Sequence, residues 1–234
     1  MSKSKIKIAL VYGTRPEIIK LSPFLRLFEK KKIPHFQIHS GQHYSANMDR
    51  VFFKELELPA PAYQLKIRSR NNRQGDHVAR MITRIEDVFY IEKPTHVFVQ
   101  GDTNTVMAGA LAAAKASTAH RSSGLRFQLC HVEAGLRSFD RDMPEEVNRV
   151  VTDHLSDYLF VPTDRSRRNV LKEGIKSKKI FVTGNSVVDA VQQNLRIAQR
   201  RLDLADLTAE KKGRYVLVTL HRQENVDDAV RLKE

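Results

Sequence analysis

The chain has 234 residues, with Lys+Arg 40 against Asp+Glu 27 and a formal net charge of +13. With 41% hydrophobic residues, ten glycines and eight prolines, it has material for a buried core, which excludes a collagenous, low-complexity or wholly disordered chain. The one cysteine, Cys130, excludes an intramolecular disulfide framework and a multi-cysteine metal site, and it fits a reducing cytoplasm.

No apolar run approaches the roughly 20 residues that a membrane helix needs. The opening MSKSKIKIALVYG runs into Gly13-Thr14-Arg15-Pro16 and not into a small-residue cleavage site, so it reads as a first strand. The positive excess is uneven, since residues 165–214 hold thirteen Lys/Arg against five acids. Neither a zinc-finger spacing nor an RNA-binding sheet motif accompanies it. It therefore reads as solvated helix faces near an anionic small ligand, with no nucleic acid or membrane as partner.

In chain order, Ile6–Tyr12 is a short apolar run and predicts a strand. Pro16–Lys31 predicts a helix, with Pro16 in its first turn. His35–His39 alternates as a strand, and Asn47–Leu56 is helical. Val78, Met81, Ile82, Ile85, Val88 and Phe89 step by three and four and mark one helical face. Thr95–Val99 is a strand, Thr105–Ala116 an alanine-rich helix and Phe127–Val132 a strand. Glu145–Ser156 is a helix with Val147, Val150, Val151 and Leu155 on one side. Tyr158–Val161, Ile180–Thr183 and Tyr215–Leu220 are strands; Ser166–Glu173, closed by Gly174, and Val187–Gln199 are helices. Alternating strands and helices predict an α/β fold with a parallel sheet covered on both faces. The basic stretch Gly174–Lys179 suggests a boundary, giving domains over 1–174 and 175–234. Residues 227–234 read as the opening turns of a helix with no cap after them, so a C-terminal truncation is expected.

Ligands of open parallel sheets sit beyond the carboxyl ends of the strands. After the first strand, Gly13-Thr14-Arg15-Pro16-Glu17 turns into a helix, an anion cradle in which Arg15 can fork onto a phosphate and Lys20 lies a turn further on. It is neither a P-loop nor GxGxxG, so no dinucleotide cofactor is indicated. Ser40-Gly41-Gln42-His43-Tyr44 is a hydrogen-bonding loop. Asp102, just before a helix, suits an acid/base group, a ribose ligand or an N-cap. Glu133 lies between an apolar run and a Gly turn, where a carboxylate is partly desolvated. Glu145 and Glu146 follow Pro144 at a helix start, and Arg149 is spaced to pair with Glu145. His221 could stabilise or protonate a phosphate leaving group. None of the nine histidines has metal-ligand spacing. These residues indicate a multi-carboxylate site beside a phosphate-binding region.

Taken in order, GTRPEIIKLSP (13–23), SGQHY (40–44), VQGDTNTVMAGALAA (99–113), HVEAGLRSFDRDMPEEVNRVVTDHLSD (131–157), FVTGNSVVDAV (181–191) and VTLHRQENVD (218–227) resemble the non-hydrolysing UDP-N-acetylglucosamine 2-epimerases. The resemblance implies a Rossmann-like domain followed by the incomplete start of a second, in a glycosyltransferase-B-like architecture with the active site in the cleft. It implies a cytoplasmic isomerase of polysaccharide biosynthesis that interconverts UDP-GlcNAc and UDP-ManNAc by eliminating and re-adding UDP, without NAD or metal. By motif, Asp102, Glu133 and Glu145 would be the acid/base group, with His221, Arg15 and Lys20 serving the diphosphate. Gln42, His43, Arg137 and Arg149 would bind substrate. A homodimer, or a second polypeptide supplying the remaining half, is the expected assembly. A hydrolysing relative and an inactive nucleotide-sugar- or partner-binding fragment are the alternatives. The family's glycine-rich loop is replaced here by Ser69–Asp76, and Ser117–Arg126 is longer and more polar than usual.

Overall fold

The computed structural model describes residues 6–41, 46–67, 73–119 and 127–201, together with 216 and 218. Gln42, His43 and His221 lie outside the described residues, as do most of the strand expected over Tyr215–Leu220 and the closing helix. Contacts divide the chain into two units, Met1–Ile197 and Ala198–Glu234, and the sheet belongs to the first.

Seven strands are joined into one sheet: β1 (Ile8–Tyr12), β2 (His35–His39), β3 (Tyr63–Gln64), β4 (His96–Gln100), β5 (Gln128–Val132), β6 (Tyr158–Val161) and β7 (Ile180–Val182). Their spatial order is β3-β2-β1-β4-β5-β6-β7, and every pairing is parallel. Between them run α1 (Arg15–Lys31), α2 (Ala46–Glu55), α3 (Gln74–Glu92), α4 (Asn104–Ala119), α5 (Pro144–Leu155) and α6 (Asp164–Lys172), with α7 (Ser186–Arg201) after β7. The expected α/β fold is therefore present, and the helices and strands agree with their sequence-derived ranges to within a few residues. The two-residue strand β3 was not expected, because Tyr63–Gln64 is too short to carry a period.

The strand alternation builds both faces. Ala9 and Val11 of β1 pack with Met81 and Ile85 of α3 and with Ala108 and Ala112 of α4. Ile8, Leu10 and Tyr12, pointing the other way, pack with Ile18, Leu21 and Leu25 of α1. The alanine-rich α4 approaches the sheet closely: a Cβ on Gly109 would lie 3.1 Å from Val11 and 3.2 Å from Val99. The strand order reverses between β1 and β4, the point where open α/β sheets place their ligands.

One expectation is corrected at α5. Its sequence shows a valine face, yet the side chains it buries are Glu146, Asn148, Thr152 and Asp153, and Val147 is 38% exposed. The polar face turns inward because the sheet edge above it needs hydrogen-bond and charge partners, as the site shows. The boundary expected at 174/175 meets a continuous sheet. Leu159 of β6 pairs with Ile180 of β7, and Ser177–Lys179 is a 3-10 turn feeding that strand.

After β5, Gly135 has φ +76, and a Cβ there would stand 2.5 Å from the Ser166 carbonyl oxygen on α6. Both the backbone angle and the clash with main chain reject any larger residue. Gly135→Ala is expected to destabilise the fold by about 2–4 kcal/mol, read as a lower urea midpoint with an unchanged slope.

Candidate active site at the sheet's carboxyl edge

Three turns leave the carboxyl ends of β1, β4 and β5 and meet at the switch point. In the first, Glu17 of α1 folds back as the acidic member of a capping box with Thr14. Its Oε2 accepts hydrogen bonds from the Gly13 amide at 3.0 Å, the Thr14 amide at 2.8 Å and the Thr14 hydroxyl at 2.7 Å. Its Oε1 accepts from the Thr103 hydroxyl at 3.0 Å, which ties the β1 turn to the β4 turn. Glu17 is 2% exposed, and burial pushes its carboxyl up to about 7 against the pull of those hydrogen bonds. The motif GTRPE contains this residue, but nothing in the sequence separates a buried clasp from an exposed first-turn glutamate. Arg15 lies beside it, 5.9 Å over the Phe52 ring.

Asp102 follows β4. The N-cap role that its position allows is taken by Thr103, whose hydroxyl accepts from the Val106 amide at 3.3 Å. The Asp102 carboxylate is thereby free for Arg149 of α5, which donates to Oδ2 through Nε at 3.0 Å and through Nη2. Asn148 donates to the Asp102 carbonyl at 2.8 Å and to Asn104 Oδ1 at 3.2 Å, fixing the turn itself. Arg149 also reaches Glu146 Oε2 at 3.1 Å. Its intrahelical partner is thus Glu146 and not the Glu145 that the i, i+4 spacing had suggested. Glu146 earns its burial by accepting from the amides of Ser138 and Phe139 at 3.0 and 3.1 Å. Burial works to raise its carboxyl, and those amides together with Arg149 hold it below the usual range. Glu145 stands exposed in the same first turn and makes no hydrogen bond to Asp102 or Glu133.

Glu133 follows β5 with φ 68, a left-handed conformation that costs a non-glycine residue of order 1–3 kcal/mol and persists only where surrounding contacts impose it. Those contacts are present. Lys20 donates to both carboxylate oxygens, at 3.0 and 2.8 Å, and the Gln100 amide donates to Oε2. The glutamate side chain is 11% exposed and the lysine 27%. Lys20, expected at a diphosphate, is thus the counter-ion of Glu133 here. Gln100, at the end of β4, is a site residue that sequence reasoning missed; its only signal is a polar residue closing an apolar strand.

Beneath these turns lies a second charge network. His131 and Asp153 are both buried, with Nδ1 2.6 Å from Asp153 Oδ1 and Nε2 2.8 Å from the Gly101 carbonyl. Both ring nitrogens face oxygens, one a carboxylate and one a backbone carbonyl. Asp153 Oδ2 accepts from the Gly135 amide at 3.0 Å and from Arg137 Nη1 at 2.8 Å. Burial works against the Asp153 carboxylate, yet His131 and Arg137 hold it below the usual range. Arg137, expected to bind substrate, is 1% exposed and grips Glu173 with Nε at 2.7 Å and Nη2 at 2.6 Å. Its guanidinium is occupied within the protein. The structure therefore brings together Lys20, Asp102, Glu133 and Arg149, sets Arg15 on the adjoining turn, and turns Arg137 inward.

The buried Glu17 gives a pH dependence with a definite sign. Its carboxyl titrates near 4.5 unfolded and near 7 folded. Between these values the folded chain keeps a proton that the unfolded chain has released, so stability falls as pH rises, by about 3 kcal/mol in all. Glu17→Gln cannot titrate. Relative to it, the wild-type chain is expected to lose about 3 kcal/mol of unfolding free energy between about pH 4 and about pH 8, measured in urea. A pH-independent difference would refute this reading of the clasp.

Comparison with known proteins follows the same lines. Residues 26–234 match the family described as UDP-N-acetylglucosamine 2-epimerase. The chain is 52% identical over 230 residues to the UDP-N-acetylglucosamine 2-epimerase of Methanocaldococcus jannaschii, covering 97% of this chain and 60% of that one. It superposes with a TM-score of 0.85 on a crystal structure of the M. jannaschii UDP-GlcNAc 2-epimerase in complex with UDP-GlcNAc and UDP, again over 97% and 60% of the two chains at 52% identity. A Neisseria meningitidis UDP-GlcNAc 2-epimerase bound to UDP-GlcNAc matches with a TM-score of 0.76 at 33% identity, over 88% of this chain and 53% of that one. The chain thus spans about 60% of the length of the M. jannaschii enzyme. With a family match running through most of its residues and a sheet that superposes on these enzymes, the chain belongs to the UDP-N-acetylglucosamine 2-epimerase family.

Proposed function

We propose that the chain acts in the interconversion of UDP-GlcNAc and UDP-ManNAc, a 2-epimerisation through elimination and re-addition of UDP. The observation that carries the reading is the pair Asp102 and Glu133, held at the carboxyl ends of the adjacent strands β4 and β5 by separate cations, Arg149 and Lys20.

The chemistry explains why two such groups are useful. C2 of the sugar bears hydrogen and an acetamido group with no adjoining carbonyl, so its proton is weakly acidic. A base must be held against it while the C1–O bond breaks. The proton goes to a carboxylate, the C2–H electron pair becomes a C1=C2 double bond, and UDP leaves with the C1–O pair. Return of a proton to the opposite face of C2, with the UDP oxygen rejoining C1, inverts the centre. Inversion needs acid/base groups on both faces of the ring. Carboxylates on neighbouring strands, together with Glu145 on the exposed start of α5, are the residues available for that. Lys20 and Arg149 pair with Glu133 and Asp102 and hold each carboxylate in place at its strand end. Arg15 is the first residue of α1, at the helix N-terminus that would face a diphosphate. Gln42, His43 and His221 are assigned to substrate by family motif alone and lie outside the described residues.

Association as a homodimer or with a second polypeptide, and a place in cytoplasmic polysaccharide biosynthesis, are part of the same reading. They are supported by the family alone. No described helix is long and apolar enough to cross a membrane.

The test is incubation of the chain with UDP-GlcNAc in deuterium oxide. UDP-ManNAc carrying deuterium at C2 is the expected product, and Glu133→Gln and Asp102→Asn are each expected to lower the rate about 10²–10⁴-fold. Absence of both C2 exchange and UDP-GlcNAc binding in the wild-type chain would overturn the proposal.

A further inference from the structure

We propose that the buried His131–Asp153 pair is a positioning device that locks the Asp102 turn and the Glu133 turn to one another. The inference rests on the proposed reaction for its purpose, because two carboxylates serving one sugar carbon must keep a fixed separation. Its structural claim stands on the hydrogen bonds alone.

The pair sits where neither turn can move without it. The His131 Nε2–H donates to the carbonyl of Gly101, the residue before Asp102. Asp153 Oδ2 accepts from the amide of Gly135, two residues after Glu133. The short contact between His131 Nδ1 and Asp153 Oδ1 joins the two anchors. The Gly101 amide closes the ring by donating to the Val132 carbonyl at 3.0 Å, immediately before Glu133. Packing alone does not account for such a pair, since well-packed apolar side chains of similar volume would serve a core as well or better. These charges are directed at two backbone groups, and both groups belong to turns that carry a reacting carboxylate. The same helix finishes the arrangement: Arg149, one turn before Asp153 on α5, holds the Asp102 side chain while Asp153 holds the Gly135 amide of the Glu133 turn. Arg137 and Glu173 balance the buried charge, and Asn169 of α6 donates to the Gly135 carbonyl at 3.0 Å, fixing the far side of that turn.

The test follows amide hydrogen exchange at Gly101 and Gly135 by NMR in the full chain, with Ala9 and Val11 of β1 as reporters of the global fold. In Asp153→Asn, both glycine amides are expected to exchange about 100-fold faster while the β1 amides keep their wild-type rates. Adding His131→Gln to Asp153→Asn should accelerate Gly101 little further, because the two lesions cut one connection. Should Asp153→Asn fail to fold, His131→Gln alone is expected to speed Gly101 about 10-fold and to spare β1. Acceleration confined to Gly135, additive effects at Gly101, or uniform loosening that includes β1 would each overturn the proposal. On UDP-GlcNAc, the variants should lose about 100-fold in kcat with KM within about threefold of wild type. A wild-type chain without turnover would count against the proposed reaction, whereas the exchange results decide the coupling.

Discussion

Carboxylates gathered at the half-buried edge of a parallel sheet need partners to offset the loss of water, and this requirement shapes the whole carboxyl end of the fold. Asp102 has Arg149, Glu133 has Lys20, Glu173 has Arg137, and Asp153 is shared between Arg137 and His131. The cations come from α1, β5, α5 and the turn after β5. Each charge pair therefore crosses between elements, and the geometry of the site is also the geometry of the fold. Glu17 is the exception. With hydroxyl and amide donors in place of a cation, its carboxyl is pushed up by burial.

The helix α5 shows the consequence most directly. A helix packed on a sheet ordinarily buries its apolar stripe. This one buries Glu146, Asn148, Thr152 and Asp153 and leaves Val147 partly outside. The cost in apolar burial is offset by hydrogen bonds to charged groups, about 1.5–3 kcal/mol each. Glu146 holds the Ser138–Phe139 segment, Asn148 the Asp102 turn, Arg149 the Asp102 side chain and Asp153 the Gly135 turn. One helix therefore sets three segments of the site.

Much of this was legible in the sequence. The apolar runs at Ile6–Tyr12, Thr95–Val99 and Phe127–Val132 predict the buried strands, and their polar successors mark the ligand edge. Asp102, Glu133, Lys20 and Arg149 could be nominated from motif order. The structure brings them together, although Lys20 meets Glu133 where a diphosphate had been expected. The inward turn of Arg137 was not legible, because a loop arginine reads the same whether it faces solvent or Asp153. Nor was the exchange of Glu145 for Glu146 as partner of Arg149: both spacings, i+3 and i+4, lie on one helical face.

The sequence by itself determined the α/β alternation, the positions of the edge turns and the family. Those depend on local periodicity, glycine placement and motif order, which survive without knowledge of contacts. Tertiary structure alone decided which charges pair, which helix face is buried and how the Asp102 and Glu133 turns are joined. His131 meets Asp153 across 22 residues and Lys20 meets Glu133 across 113. No local pattern encodes such pairs, because they arise only when parallel strands bring distant turns to one edge and electroneutrality selects among the side chains that arrive there.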